Sequence, residues 1–184
     1  MAASSTNVLP ETWQFWVVLN AVASGQKIYQ IEKIFAFNTV ENFWSYQEAL
    51  PKVSDFKNVN NKKVSLALFR GEIQPAWEDP ANAKGATYVL TVPNTAIDEF
   101  WETLILFMIG GQMQRDLFDG EPEVCGLFVR NIVSAEFAVE IWTRSDIDRR
   151  IELLDYVHEN ICPQDSAFIR LKEFHTHVSK TTWN

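Results

Sequence analysis

The order in which two-residue and helical periodicities follow one another restricts this chain more than any other feature. Runs suited to strands occupy Trp13–Leu19, Ile28–Phe37, Val64–Phe69, Thr87–Val92, Val124–Val133, Phe137–Thr143 and Phe168–Phe174. They are rich in the β-branched and aromatic residues that fit a pleated surface. Helical spacing is confined to three stretches: Asn38–Leu50, Thr95–Ile109, and one capped by Ser145 or Asp146 that runs to about Asn160. Consecutive strands with short links pair antiparallel, and three amphipathic helices suffice to cover one side of the sheet. The pattern predicts an α+β fold: a curved antiparallel β-sheet of about seven or eight strands with three α-helices packed on its convex face. The other face needs a different use, and a ligand groove is one.

Local signals set the boundaries. Asn38 with Glu41 three residues on reads as a helix start, Pro51 as its stop, and Gly110 with Gly111 as the close of the second helix. In the third helix, Ile147, Ile151, Leu154 and Val157 are predicted to share the apolar face. Ser24 and Gly25 mark a loop between the first two strands, and Ser134 to Glu136 a tight turn between the fifth and sixth. Residues 1–12 read as a flexible N-terminal tail and 13–184 as one domain.

The net charge of −8 argues against a general nucleic-acid binder, which neutralises many phosphates, yet leaves room for a small pocket with a few local cations. The aromatic content is high, 7 Trp, 13 Phe and 4 Tyr; some of these rings belong to the core, and seven Trp leave room for one or two with a ligand to hold. Cys125 and Cys162 form no CxxC pair, so neither a disulfide framework nor a zinc site is expected. No apolar run reaches membrane-spanning length, and the start lacks a secretory signal pattern; no membrane association and a cytoplasmic location are expected. No P-loop, nucleophile elbow or HExxH is present, so neither enzymatic activity, a metal nor a cofactor is expected. His175 and His177 fall on one strand face without further ligand partners and read as surface or packing residues.

Four stretches carry a resemblance to a known family: FNTVENFW (Phe37–Trp44), PAWEDPANAKG (Pro75–Gly85), FWETLILFMIG (Phe100–Gly110), and VCGLFVR with EIWT (Val124–Arg130, Glu140–Thr143). In this order and spacing they resemble the translation initiation factor 4E family from about Trp13 to the last strand. The resemblance implies binding of the 7-methylguanosine 5′ cap of mRNA. N7-methylation makes guanine a delocalised cation, so aromatic rings on its faces gain a cation–π attraction beyond dispersion. Base–aromatic stacking contributes roughly 1–3 kcal/mol per contact. A carboxylate in the base plane accepts from the N1–H and N2–H₂ edge, which adenine lacks.

By residue type alone, Trp77 suits either a core or a ligand role; the resemblance makes Trp77 one stacking ring and Glu78 the edge-reading carboxylate. The second ring falls on Tyr29 in KIYQ, where the family usually has Trp, and Trp142 matches the ring that closes on the N7-methyl group. The family's basic phosphate-holding positions fall on Thr87 and Ile132, which carry no charge; Arg130, Lys84 and Arg144 are the substitute candidates. On the helical side, Leu9, Val40, Trp44, Leu106, Ile109 and Gly110 match a partner-docking patch. That patch takes a Y-x-x-x-x-L-Φ helix from a 4G-like initiation scaffold or from a 4E-binding repressor. Recruitment of translation-initiation partners to capped mRNA is the expected function. A cap-binding translational repressor, or an interaction scaffold that has lost cap affinity, are the alternatives.

Overall fold

The structure is a computed structural model and describes residues 6–23, 26–56, 62–133, 135–162, 164 and 166–178. Its strands are β1 (Val8–Ala23), β2 (Gln26–Thr39), β3 (Lys62–Arg70), β4 (Ala86–Pro93), β5 (Val124–Val133), β6 (Glu136–Thr143) and β7 (Arg170–Thr176). They form one curved sheet in the order β2-β1-β3-β5-β6-β4-β7, with every neighbouring pair antiparallel. The helices are α1 (Val40–Ala49), α2 (Ile97–Ile109), α3 (Gln112–Leu117) and α4 (Arg150–Tyr156), the last continued by a π-helical turn over Val157–Ile161. Among the described residues four helices stand where three were expected. The additional one, α3, follows Gly111, whose φ of 72° breaks the chain from α2.

Strand alternation divides the side chains between two faces. Phe15, Leu66, Leu68, Tyr88, Leu127 and Ile141 point to one side, where they pack with Phe43 of α1, Phe100, Trp101 and Leu104 of α2, and Leu153 of α4. Burying each such side chain contributes about 1.5–3 kcal/mol. The other side carries a smaller cluster of Trp16, Val18, Ala67, Phe69, Cys125 and Phe128, with no helix over it among the described residues.

Several boundaries differ from expectation. The stretch expected as tail belongs to β1 from Val8 onward, and Asn7 donates from its backbone and side chain to the Glu41 carboxylate at 3.1 and 2.9 Å. The β1–β2 hairpin extends past the expected loop start to Ala23 and resumes at Gln26; Ser24 and Gly25 themselves lie outside the described residues. So does Ser134 of the β5–β6 turn. Thr39, not Asn38, caps α1, its hydroxyl accepting from the Asn42 N–H at 3.2 Å.

Helix α4 begins at Arg150 because Ser145 is engaged elsewhere: its backbone N–H and hydroxyl both donate to the Glu123 carboxylate. The buried face of this segment is Leu153, Tyr156, Val157 and Ile161, while Ile147 and Ile151 are 59% and 76% exposed. The predicted apolar face therefore holds only at Leu154 and Val157. Phe168, expected in the last strand, stands exposed in a 3₁₀ turn before β7.

Candidate functional site

A one-residue irregularity in β2 decides which side Tyr29 serves. Phe15 pairs with Phe35, but Trp16 pairs with Lys33, so Ile34 is the extra residue of a bulge. Side chains alternate along a strand, and one inserted residue inverts the alternation beyond it. Phe35 and Phe37 consequently pack toward the helices, whereas Lys33, Ile31 and Tyr29 turn to the helix-free face. There the Lys33 ammonium lies over the Trp16 ring, 5.4 Å from its centroid, and forms an ion pair with Glu72.

Tyr29 is 54% exposed, and its hydroxyl donates to the carbonyl of Pro75 at 3.3 Å. That bond ties the hairpin to the loop 71–85 between β3 and β4. Desolvation, followed by the charges of Glu140 and Glu78, pushes the Tyr29 hydroxyl up to about 12. Desolvation at the hydroxyl end coexists with an open ring surface, because the hydroxyl sits against the loop. Trp77, at the top of the same loop, is 42% exposed, and Glu78 beside it is exposed as well. Tyr29 and Glu78 are thus brought together, with Trp77 adjacent in the chain.

Buried polar groups shape the loop. Asn82 is fully buried, and its side-chain amide donates to the carbonyls of Gln74 and Ala76, each at 2.8 Å. Asp79 accepts from the N–H groups of Gln74 at 3.0 Å and Ala81 at 2.9 Å. The Asn82 carbonyl in turn receives Nδ1 of His177, whose Nε2 meets the Thr87 hydroxyl at 2.7 Å. A carbonyl only accepts, so in the neutral ring Nδ1 carries the hydrogen and Nε2 accepts from Thr87. The loop leaves through Gly85, where a Cβ would stand 1.7 Å from the Thr143 carbonyl oxygen. Asn82 and His177 escaped the sequence reading as site residues: a buried polar brace has no periodic signature, and Asn in a polar loop reads as an ordinary turn residue.

Trp142 lies on the same face of β6. It packs edge-on against Phe69, with centroids 5.6 Å apart, and 5.0 Å from the His177 ring. Phe69 occupies the space over Gly126, where a Cβ would fall 2.3 Å from its ring. The Trp142 indole N–H donates to Glu140 at 3.0 Å, and the other oxygen of that carboxylate receives Arg130 Nε at 2.9 Å. Glu140 was another residue the sequence reading missed; the signal available was its shared strand face with Trp142. Arg130 reaches the face expected of it, already ion-paired. Lys84 and Arg144 are exposed at the end of the loop and just beyond β6.

On the helical side, Trp44 and Leu106 are 38% and 37% exposed, Gly110 is exposed, and Leu9 and Val40 are partly covered. Ile109, expected in this patch, is 5% exposed and belongs to the core beneath it. The reason is helical phase: Ile109 lies four residues past Ile105 and eight past Trp101, on the buried side of α2. A groove of about 520 Å³ opens between α1 and α2, lined by Trp44, Glu48, Lys52, Asp98, Glu99 and Glu102 among others.

The family model of eukaryotic initiation factor 4E matches residues 8–182, nearly the whole chain. The chain belongs to the eukaryotic initiation factor 4E family. Translation initiation factor 4E-1 of Prunus domestica is a 4E relative 30% identical over 161 residues, 82% of this chain and 63% of that protein. The 4E-1 protein of Arabidopsis thaliana is 32% identical over 139 residues, 74% of this chain and 55% of that one. The match thus spans less than two thirds of the length of these 4E relatives.

Among solved 4E structures, Ascaris suum eIF4E-3 in complex with the m7G cap aligns with a TM-score of 0.73 at 25% identity, covering 94% of this chain and 92% of that one. A schistosome eIF4E complexed with m7GpppA and 4E-BP aligns at 0.74 and 19% identity, covering 98% and 93%; this likeness shows the 4E fold alone. Among the described residues no helix is long and apolar enough to cross a membrane.

Proposed function

We propose that this chain binds the 7-methylguanosine 5′ cap of mRNA on its helix-free face and docks translation-initiation partners on its helical face. One observation carries the first half. Two well-exposed rings, Tyr29 and Trp77, belong to segments tied together by the Tyr29–Pro75 hydrogen bond, with the Glu78 carboxylate acting on the Tyr29 hydroxyl. Exposed rings on segments fastened together beside a carboxylate are the kind of surface that marks a ligand site, unlike exposed apolar residues scattered singly. A cationic purine with donor groups along one edge fits all three: the rings take its faces and Glu78 its N1–H and N2–H₂ edge. Trp142 closes toward the N7-methyl group, and Lys84 and Arg144 are the exposed cations for the phosphates. The Ascaris relative solved with the m7G cap supports this assignment.

The activity is recognition without bond-making. No proton-transfer step is needed at any residue named here, and the chain works as one domain in the cytoplasm. Trp44, Leu106, Val40, Leu9 and Gly110 form the surface that receives a Y-x-x-x-x-L-Φ helix of a 4G-like scaffold or a 4E-binding repressor.

Tryptophan fluorescence titration tests the cap assignment. 7-Methyl-GTP is expected to quench strongly and GTP far less, and Trp77→Ala to abolish retention on a cap-analogue resin while circular dichroism is preserved. Equal quenching by both nucleotides, or full retention by the variant, would overturn it.

A further inference from the structure

The helix-free face beyond Trp142 is built unlike a surface that holds a polyanion. Cross-strand pairing places Phe128 opposite Glu140, Glu140 opposite Val89, and Val89 opposite Glu173, so one row across β5, β6, β4 and β7 contains two carboxylates. The Glu140 side chain is only 12% exposed and is fixed at both oxygens, by Trp142 Nε1 at 3.0 Å and Arg130 Nε at 2.9 Å. Glu173 accepts from His175 at 2.6 Å and lies 3.9 Å from the Lys172 ammonium. Arg130 is the cation of β5 on this face, and its charge is matched by the carboxylate it touches. Thr87, in the row of Trp142, is buried and occupied by His177.

Resting on the cap-binding reading above, we propose that the Arg130–Glu140 ion pair closes the phosphate track. The site then selects its nucleotide on the methylated base: additional 5′ phosphates are left with the exposed, solvent-screened Lys84 and Arg144 and gain little from them. A phosphate approaching Arg130 meets a neutral pair, so Coulomb attraction to the cation is offset by repulsion from an anion within hydrogen-bonding distance. Displacing Glu140 to free the guanidinium would leave a largely buried carboxylate without its partner, a costly arrangement. The net charge of −8 adds a long-range field of the same sign as the phosphates. Glu140 and Arg130 are therefore specificity-determining residues, setting which part of the cap supplies affinity.

The test is a fluorescence titration of the full chain with 7-methyl-GMP, 7-methyl-GDP and 7-methyl-GTP at low and high salt. The proposal expects affinities within about threefold of one another and a shallow salt dependence. Glu140→Gln keeps the shape and removes the charge, and should raise the ratio of 7-methyl-GTP to 7-methyl-GMP affinity about tenfold. Ile132→Arg adds a cation on the same strand and should raise that ratio without relying on the ion pair, so the test survives if Glu140→Gln folds poorly. A wild-type gain of a hundredfold from mono- to triphosphate would overturn the proposal while leaving cap binding intact. So would a ratio unmoved by both variants. Failure of every methylated nucleotide to bind would instead remove the cap reading, and this proposal with it.

Discussion

Tyr29 and Pro75, forty-six positions apart, are joined by one hydrogen bond that fastens the end of a long hairpin to the loop bearing Trp77. Tyr29→Phe keeps the ring and removes this bond. Loss of a single neutral hydrogen bond weakens 7-methyl-GTP binding by roughly 1 kcal/mol, about fivefold. Tyr29→Ala removes the stacking face too and should cost roughly 1–3 kcal/mol more. Isothermal titration of the three proteins distinguishes a ring that stacks from one that only props the loop. If Tyr29→Ala binds as Tyr29→Phe does, the ring is not a stacking partner.

The same hydroxyl gives a pH dependence. Its folded pKa is raised to about 12 from the ordinary tyrosine value of 10.0, so between those values the folded state holds a proton that the unfolded chain has released. Stability contributed by this group is complete below pH 10 and is lost as pH rises through 12. Denaturant midpoints measured from pH 9 to 12 should fall less steeply for Tyr29→Phe than for the wild type. Ultraviolet titration of tyrosinate should show one late-titrating tyrosine fewer.

Asn82 braces the loop from inside. Asn82→Ala leaves the Gln74 and Ala76 carbonyls without their donor and opens a small void, a loss of roughly 1–3 kcal/mol. For a chain of this size that lowers Tm by about 2–4 °C per kcal/mol. Because Asn82 holds the Gln74 and Ala76 carbonyls of the loop that carries Trp77, cap affinity should fall as well, although no atom of Asn82 is proposed to touch the ligand. Differential scanning calorimetry with a parallel titration checks both effects. Unchanged affinity in a destabilised variant would show that the loop holds its shape without this brace.

Trp44→Ala should barely move stability, since the ring is 38% exposed and rests edge-on against Phe43 at 5.0 Å. It should weaken a Y-x-x-x-x-L-Φ peptide by about 2 kcal/mol or more, as exposed interface tryptophans do. Fluorescence anisotropy with a labelled peptide measures it, with cap retention as the internal control. The groove between α1 and α2 carries Glu48, Asp98, Glu99 and Glu102 against Lys52, so peptides with basic residues flanking the motif should bind more tightly than neutral ones.

The α+β class, the seven strands and the exposed WED loop were legible in the sequence, because alternation, turn residues and loop polarity are properties of neighbours in the chain. Trp77 and Glu78 were legible for the same reason: both lie in one contiguous polar stretch between two strands. The α4 face was misjudged because Ser145, a good cap in isolation, is claimed by Glu123 from before β5. Ile109 was placed in the docking patch because family position specifies which helix a residue occupies, whereas its phase on that helix turns it into the core.

What the chain determined alone is which segments become strands and helices, and that one sheet face carries the helices. Local periodicity is sufficient for that. Tertiary structure alone decided that Ile34 bulges, turning Tyr29 to the open face, and that Glu140 takes up the charge of Arg130. Both outcomes depend on the register between strands distant in sequence. A shift of one residue there exchanges which side chains share a surface.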